Sequence, residues 1–555
     1  MSSAFFNKSK NIANEFIQSI VFLDDKAYLK ENTEGQEVVN DLDAYEISKI
    51  FAKEKKICAV YDPENEEDIL NFKEISIKAD IIILDWFIDL SESVSDGGDE
   101  EDADDIDIRG KYTLDIISSL INRDNSEKLK IVLVYTGETN LIEISQKIHD
   151  LDPNLSLDND DLKLQTAKTT IYIRAKSNNQ DGEDTRFNHL PNIKDKVLKY
   201  IELPAFLLDR FTEVTSGLLS NFALKSLSTL RNNTSKILGL YDKDLDHAFL
   251  EHKSSIPNQE DAENLILEVF KDSIGDLLYY KNVHKSITKT DITTWISTKL
   301  LNESKSIKNA EGMNVNPSRN IMRSRNFLID LLYSKETDVE KRFIEKLVPH
   351  CSGKKQADSY YKYLKVNNID LFINNSQNSE KGEILNKFAA LTHHKNVFLP
   401  RGMKPVLSLG TVLKSNKKDK ITDKDKYYIC IQQKCDSVRI KDDEDRKFLF
   451  LPLTESKTGK FNFIANDGTK LQLESKSYSI RTLKFKSNKE GVVVPKKKND
   501  KFYFEQIYKS RTDEKLEWIL DLKDLHSQRI VADYAAILSR VGLDESEWLR
   551  KAGSK

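Results

Sequence analysis

The stretch Ala79-Asp-Ile-Ile-Ile-Leu-Asp85 decides the reading of the N-terminal third of the chain. Its four apolar residues run without alternation, the mark of a strand covered on both faces, and the run ends on a carboxylate. Upstream lie Ser19-Ile-Val-Phe-Leu-Asp-Asp25 and Ile57-Cys-Ala-Val-Tyr61, the latter followed by an Asp62-Pro63 turn. Downstream lie Lys130-Ile-Val-Leu-Val-Tyr-Thr136 and Thr169-Thr-Ile-Tyr-Ile-Arg-Ala-Lys176. Helical spacing separates them: Tyr45, Ile47, Ile50 and Phe51 within 43–53, then 113–121 and 141–149. Five strands alternating with helices predict a five-stranded, parallel, doubly wound sheet.

Ligands of such sheets bind outside the carboxyl ends of the strands. The residues there are Asp24 and Asp25, Asp85, Thr136 and Lys176. Each acid by itself is also what commonly ends a strand or caps the next helix. Together they form a coherent set, because crowded carboxylates repel one another unless a cation sits among them. Mg²⁺ prefers oxygen ligands of this kind. Asp24 and Asp25 would hold it with Asp85, whose carboxylate is also a nucleophile for a phosphoryl group. Thr136 would donate a hydrogen bond to a phosphoryl oxygen and Lys176 would neutralise another.

The segments Phe22-Leu-Asp-Asp25, Ile82-Ile-Leu-Asp85, Val134-Tyr-Thr-Gly137 and Arg174-Ala-Lys176 resemble the receiver domain of bacterial response regulators, the phosphorelay component of two-component signalling. The resemblance covers about a third of the chain. It implies Asp85 as the phosphoacceptor that becomes an aspartyl phosphate, Asp24 and Asp25 as Mg²⁺ ligands, and Thr136 and Lys176 as switch residues. Three features depart from the pattern. The stretch from Asp85 to Thr136 is lengthened by an acidic insertion, 92–108. The proline that commonly follows the lysine is Ser177. The aromatic usually three residues before the lysine is Ile173, with Tyr172 one place off.

At 555 residues the chain holds several domains of roughly 150 residues each. We expect a multidomain α/β + α + β organisation. Residues 1–195 are the receiver-like domain, 196–395 a helical domain, 396–512 a β-rich module and 513–555 C-terminal helices. Phe206, Leu207, Phe211, Val214, Leu218, Phe222 and Leu227 recur near a 3.6-residue period. Helices at 206–240 would pack internally or join a homo-oligomer. Short β runs are expected at 406–413, 427–432, 448–453, 461–465 and 479–486, forming a small barrel or antiparallel sheet. Terminal helices are expected at 527–540 and around 545–549.

Composition excludes several classes. No run of eighteen apolar residues exists, so no membrane span is expected, and the N-terminus lacks a secretory pattern; the expected location is the cytoplasm. Four cysteines make no disulfide framework, and Cys430 and Cys435 have no second Cys/His pair to complete a zinc site. A net charge of −5 is not that of a nucleic-acid binder as a whole. Charge is uneven, however. Asp96–Asp107 carries eight acids and no base, whereas Lys484–Lys501 carries seven lysines and two acids, a hairpin that would reach phosphates or simply stay solvated.

Cys435-Asp-Ser-Val-Arg439, read as strand, offers a cysteine with His526 far along the chain as a base, but no third group completes a catalytic set. His393 and His394 read as loop residues. Cys435-Asp-Ser-Val-Arg439 and Ser539-Arg-Val-Gly-Leu-Asp-Glu-Ser-Glu-Trp-Leu-Arg550 are also similar to a family of long bacterial receiver-domain proteins. That family is associated with a histidine-kinase-like ATPase in conflict, or anti-phage, loci. The resemblance implies a regulator that acts through protein–protein contacts with such an ATPase, with no enzymatic chemistry beyond the receiver's own phosphorylation and dephosphorylation. Two rivals stand beside it: an effector enzyme, such as a nuclease using the C-terminal module, and a scaffold whose receiver has lost phosphotransfer.

Overall fold

The computed structural model describes residues 4–28, 42–90, 109–122, 128–306, 320–351, 353–366, 371–395, 404–419, 423–456, 461–474, 479–507 and 514–538. The acidic stretch at 96–107 and the helix expected around 545–549 lie outside them. Contacts gather the chain into two compact units, Met1–Thr298 and Lys299–Lys555.

The first unit is built on β1 (Ser19–Leu23), β2 (Ile57–Tyr61), β3 (Ile81–Leu84), β4 (Lys130–Thr136), β5 (Ser156–Asp158), β6 (Lys163–Gln165), β7 (Thr169–Lys176) and β8 (Val197–Leu198). The order is β2-β1-β3-β4-β7-β6-β5, with β8 also beside β7. The five predicted strands are β1, β2, β3, β4 and β7, and they are parallel. The sheet nevertheless has eight strands rather than five. The antiparallel β5–β6 hairpin and the parallel β8 both pair with β7, so the fifth predicted strand is interior.

Successive strand residues point to opposite faces, which divides the core in two. Val21, Ile82, Val132 and Ile171 pack on the side of α3 (Glu66–Lys78), α4 (Lys111–Ile121) and α5 (Leu141–His149). On the other side Ile20, Ile81, Ile131 and Tyr172 meet a second group. It contains Ala13 of the N-terminal helix Ala4–Phe16, Ile47 and Phe51 of Ala44–Lys53, Phe211 of Leu203–Thr215 and Leu224 of Leu218–Arg231. Each fully buried phenylalanine here is worth about 2–3 kcal/mol in removal from water. The single helix expected across 206–227 is broken at Ser216–Gly217, and its two halves cover this second face of the sheet.

At the amino ends of the strands, buried charge is fully engaged. The Lys130 ammonium donates to the carbonyls of Ser76 (3.3 Å), Ile77 (2.7 Å) and Ala79 (2.6 Å). Asp80 accepts from the amides of Gln18 (2.9 Å) and Ser19 (3.2 Å) and from both terminal nitrogens of Arg231 (2.8 and 3.0 Å). Beyond Arg231 the unit continues through Thr234–Leu238, Leu245–Ser255, Asp261–Tyr280 and Lys289–Lys299.

The second unit opens with a two-stranded hairpin, Glu303–Ser306 with Asn320–Arg323, and helices at Arg325–Leu332, Val339–Leu347, Lys354–Val366 and Lys381–His393. A nine-stranded sheet follows, antiparallel in every pairing. Phe448, Phe450, Phe485 and Phe504 fill one face and Leu451, Leu453, Phe463 and Leu520 the other. Several expectations change here. Lys515–Asp521, expected among terminal helices, is a strand paired with Thr411–Ser415, and its buried Leu516 and Leu520 explain why. The terminal helix is Asp524–Leu538. Lys434–Ser437 is a short helix, not strand. His393 ends a helix and His394, buried, bonds the Ile464 carbonyl at 2.7 Å, so neither is a free loop residue. Among the described residues no helix is long and apolar enough to cross a membrane.

Candidate functional site

The site is set by where the parallel strands stop. The Asp24 amide still bonds the Tyr61 carbonyl (3.0 Å), and the Asp85 amide bonds Leu23 (2.9 Å), so both acids sit on the last rungs of the ladder. The Asp24 carboxylate accepts from the Lys26 amide (2.9 Å), that of Asp25 from Asp89 (3.1 Å) and that of Asp85 from Trp86 (2.8 Å). Thr113 at the start of α4 donates its hydroxyl to the Asp85 carbonyl at 2.5 Å. Gly110, just before α4, has φ +84, and a Cβ there would stand 2.2 Å from the Trp86 ring. Only glycine suits that backbone and that contact.

The structure brings the predicted residues together. One carboxylate oxygen from each of Asp24, Asp25 and Asp85 lies within 4.8 Å of the others, and all three residues are buried. Lys176 reaches in from the end of β7, bonding Asp24 and lying 3.0 Å from Asp85 Oδ2. Thr136, also buried, lines the same cavity from the end of β4 and accepts from the Glu138 amide at 3.2 Å.

Among the described residues Lys176 pairs with two of these three carboxylates and Lys26 is a weaker counter-charge to Asp25, which leaves a surplus of negative charge. Burial pushes the Asp85 carboxyl up to about 7; Lys176 opposes the rise and Asp24 adds to it. Burial and, more weakly, Asp24 also raise Asp25, against the amide bond from Asp89. Burial would lower Lys176, but Asp85 and Asp24 outweigh it and hold the ammonium charged. Asp25 Oδ1 is buried and has no hydrogen-bond partner. An oxygen-only donor set, a surplus of negative charge and an unsatisfied carboxylate oxygen fit a hard divalent cation such as Mg²⁺.

Asp85, Thr136 and Lys176 line a cavity of about 1530 Å³, whose walls also include Lys26, Phe87, Tyr200 and Arg186. Arg186 is a residue that motif reading missed. Its guanidinium donates to the carbonyls of Lys176 (2.5 Å) and Gly137 (3.3 Å) and is held by Asp184 (2.8 Å). It therefore ties the loop after Thr136 to the strand end that carries Lys176. No linear signal identified it, since the contact depends on the path of the loop after β7.

The departures from the family pattern acquire physical meaning. The Ser177 amide donates to the Leu198 carbonyl at 3.0 Å, extending the β7–β8 pairing. A proline there has no N–H to give. Tyr172 and Ile173 occupy opposite faces. The tyrosine packs edge-on against Phe206 at 5.9 Å, whereas Ile173 joins the core on the α3–α5 side.

The other candidate groups do not assemble a site. Lysines of 484–501 are distributed over two separate strand pairs, and several bond acids: Lys484 with Asp445 (2.6 Å), Lys486 with Asp443 (2.6 Å) and Lys496 with Glu505 (2.6 Å). His526 packs against His393, ring centroids 4.4 Å apart.

A family model described as a response receiver domain matches residues 16–181. No curated protein and no solved structure matches the chain. The matched span contains every strand-end residue of the acidic site, and a receiver domain points to a signalling or regulatory role exercised through protein partners.

Proposed function

We propose that the chain is a signalling regulator whose receiver domain accepts a phosphoryl group on Asp85. In this reading Asp85 attacks phosphorus, an O–P bond forms, and the bond to the donor's leaving group breaks with its electron pair. Asp24, Asp25 and Asp85 would hold Mg²⁺, which when bound supplies positive charge beside the transferred group. Lys176 neutralises a phosphoryl oxygen, and Thr136 turns its hydroxyl toward another. The observation that carries the reading is the buried acidic triad beside Lys176, with its unsatisfied Asp25 oxygen and with Asp85 lining a cavity.

The remainder of the chain is the output: the helices after Arg231 and the second unit, Lys299–Lys555, with its nine-stranded antiparallel sheet. The proposed phosphodonor is a histidine-kinase-like ATPase of a bacterial defence system, and the proposed location is the cytoplasm. This rests on the resemblance of the C-terminal segments. A phosphate adds about −1.5 to −2 charge, enough to reorganise the Arg186-tied loops around it.

The test is incubation with a small phosphodonor and Mg²⁺, read by intact mass, on wild type and Asp85→Asn. Phosphate uptake in the wild type alone supports the reading. Uptake in neither, with both proteins folded, sinks it in favour of a docking scaffold.

A further inference from the structure

The N-terminal helix Ala4–Phe16 does not close completely on the receiver sheet. Between it, the first residues of β1 and β3, helix Ala44–Lys53 and helix Leu203–Thr215 lies a second cavity, of about 260 Å³. Its inner wall is formed by Ile17, Ile20, Phe51, Ile81 and Leu207, each at most 3% exposed. Protein interiors are close-packed, and a void of this size forfeits contacts on every side. A wall of aliphatic and aromatic side chains gives water little to bond and suits an apolar occupant.

The mouth is different, because Lys10, Lys53, Glu54 and Lys56 line it. Lys10 is already engaged, 2.5 Å from Asp209. Lys56 donates to the carbonyls of Asn14 and Ile17, the latter at 2.7 Å, where the N-terminal helix ends. Among the described residues neither Lys53 nor Lys56 is in an ion pair. Burial pushes the Lys56 ammonium down, and Glu54 and Asp80 oppose this only from a distance. With the Lys10–Asp209 pair set aside, two ammoniums face one carboxylate, Glu54, and one positive charge is left over. An ammonium withdrawn from water with carbonyls as its only partners gains most from a carboxylate.

Size narrows the occupant further. Filling 260 Å³ at interior density takes about 190 Å³ of atoms, the volume of an acyl chain of about ten carbons with its carboxylate. We propose that this cavity binds a free medium-chain fatty acid, with its chain among Ile20, Phe51, Ile81 and Leu207 and its carboxylate at Lys53 and Lys56. A phosphate or nucleotide would leave the apolar wall bare, and a neutral hydrocarbon would leave the ammoniums unpaired. Ile50, Lys53 and Ile201 also wall the larger cavity that Asp85 lines, so the two cavities share a partition. The proposal does not rest on phosphorylation of Asp85.

Isothermal titration of the full chain with decanoate tests it. The wild type binds one decanoate per chain, saturably, and binds 1-decanol, which has the same tail without the charge, about tenfold more weakly or worse. Ala205→Phe, at an exposed position on the cavity wall, fills the space and abolishes binding of both ligands. Lys56→Met weakens decanoate about tenfold and leaves decanol unchanged. Lys53→Met, at an exposed position where folding is not at issue, shifts the same ratio in the same direction. Circular dichroism on each variant verifies folding. No saturable binding of decanoate, binding indifferent to Ala205→Phe, or a decanoate-to-decanol ratio that both lysine variants leave unchanged overturns the proposal.

Discussion

At the amino ends of the receiver strands, Lys130 and Asp80 are buried and meet carbonyls, amides and Arg231 on every side. At the carboxyl ends, Asp24, Asp25 and Asp85 are just as buried, yet Lys176 pairs only with Asp24 and Asp85, Asp25 Oδ1 is bare, and Asp85 lines a large cavity. Both edges contain ionised side chains removed from water, so burial of charge does not separate a structural clamp from a reactive site. What separates them is completion. The first edge needs nothing from outside the chain, and the second remains electrostatically unfinished until a cation arrives.

The sharpest way to break this comparison is to remove one acid from each edge. Asp25→Asn should weaken Mg²⁺ binding by about a hundredfold or more, measured by calorimetry, since a charged ligand is lost. The same substitution should raise the stability of the metal-free protein by about 1 kcal/mol, because it relieves crowding among like charges. Asp80→Ala should do the reverse. It leaves two amides and Arg231 without their acceptor and should cost about 2–3 kcal/mol in urea unfolding, with Mg²⁺ affinity unchanged. A destabilised Asp25→Asn, or an Asp80→Ala that unfolds like wild type, would erase the distinction.

The pH response sharpens it further. The carboxyl of Asp85 is held near 7 in the fold, above its ordinary 3.8. A protonated Asp85 is therefore favoured by folding. That stability is fully present at acidic pH and is lost as pH rises through about 7. Metal-free protein should lose on the order of 1–2 kcal/mol from pH 5 to pH 8, and Asp85→Asn should flatten that slope. Added Mg²⁺ should reverse it, because cation binding requires ionised carboxylates and so strengthens over the same interval. The smallest expected effect belongs to Arg186→Ala. It should cost about 1 kcal/mol and slow phosphate uptake a few-fold, with Asp85 still modified. Unchanged kinetics would mean that the tie between Gly137 and Lys176 serves only the loop.

The legibility of the chain follows the same divide. Buried parallel strands advertise themselves as unbroken apolar runs, and the residues after those runs are the site, so Asp24, Asp25, Asp85, Thr136 and Lys176 could be read from sequence. Ser156–Asp158 and Lys163–Gln165 were invisible because three-residue strands contribute one buried leucine at most. Glu66–Lys78 carries a weak helical signal, because charge is spread along it and only Ile69, Phe72 and Ser76 are buried. In the second unit, Lys515–Asp521 has the alternation of a half-buried strand, and its partner Thr411–Ser415 lies about a hundred residues away in sequence, so only the fold brings the pair together. Arg186 and Asp184 belong to geometry alone.

The contact between Trp86 and Gly110 gives the protein an optical property. An indole wedged over the entrance of α4, immediately after Asp85, is a fluorophore bonded in sequence to the residue whose charge state is at issue. Protonation, cation binding or acylphosphate formation at Asp85 changes the field across that ring within one peptide bond. With Trp295, Trp518 and Trp548 replaced by phenylalanine, the emission of Trp86 would make the receiver its own reporter, read in real time and without a label.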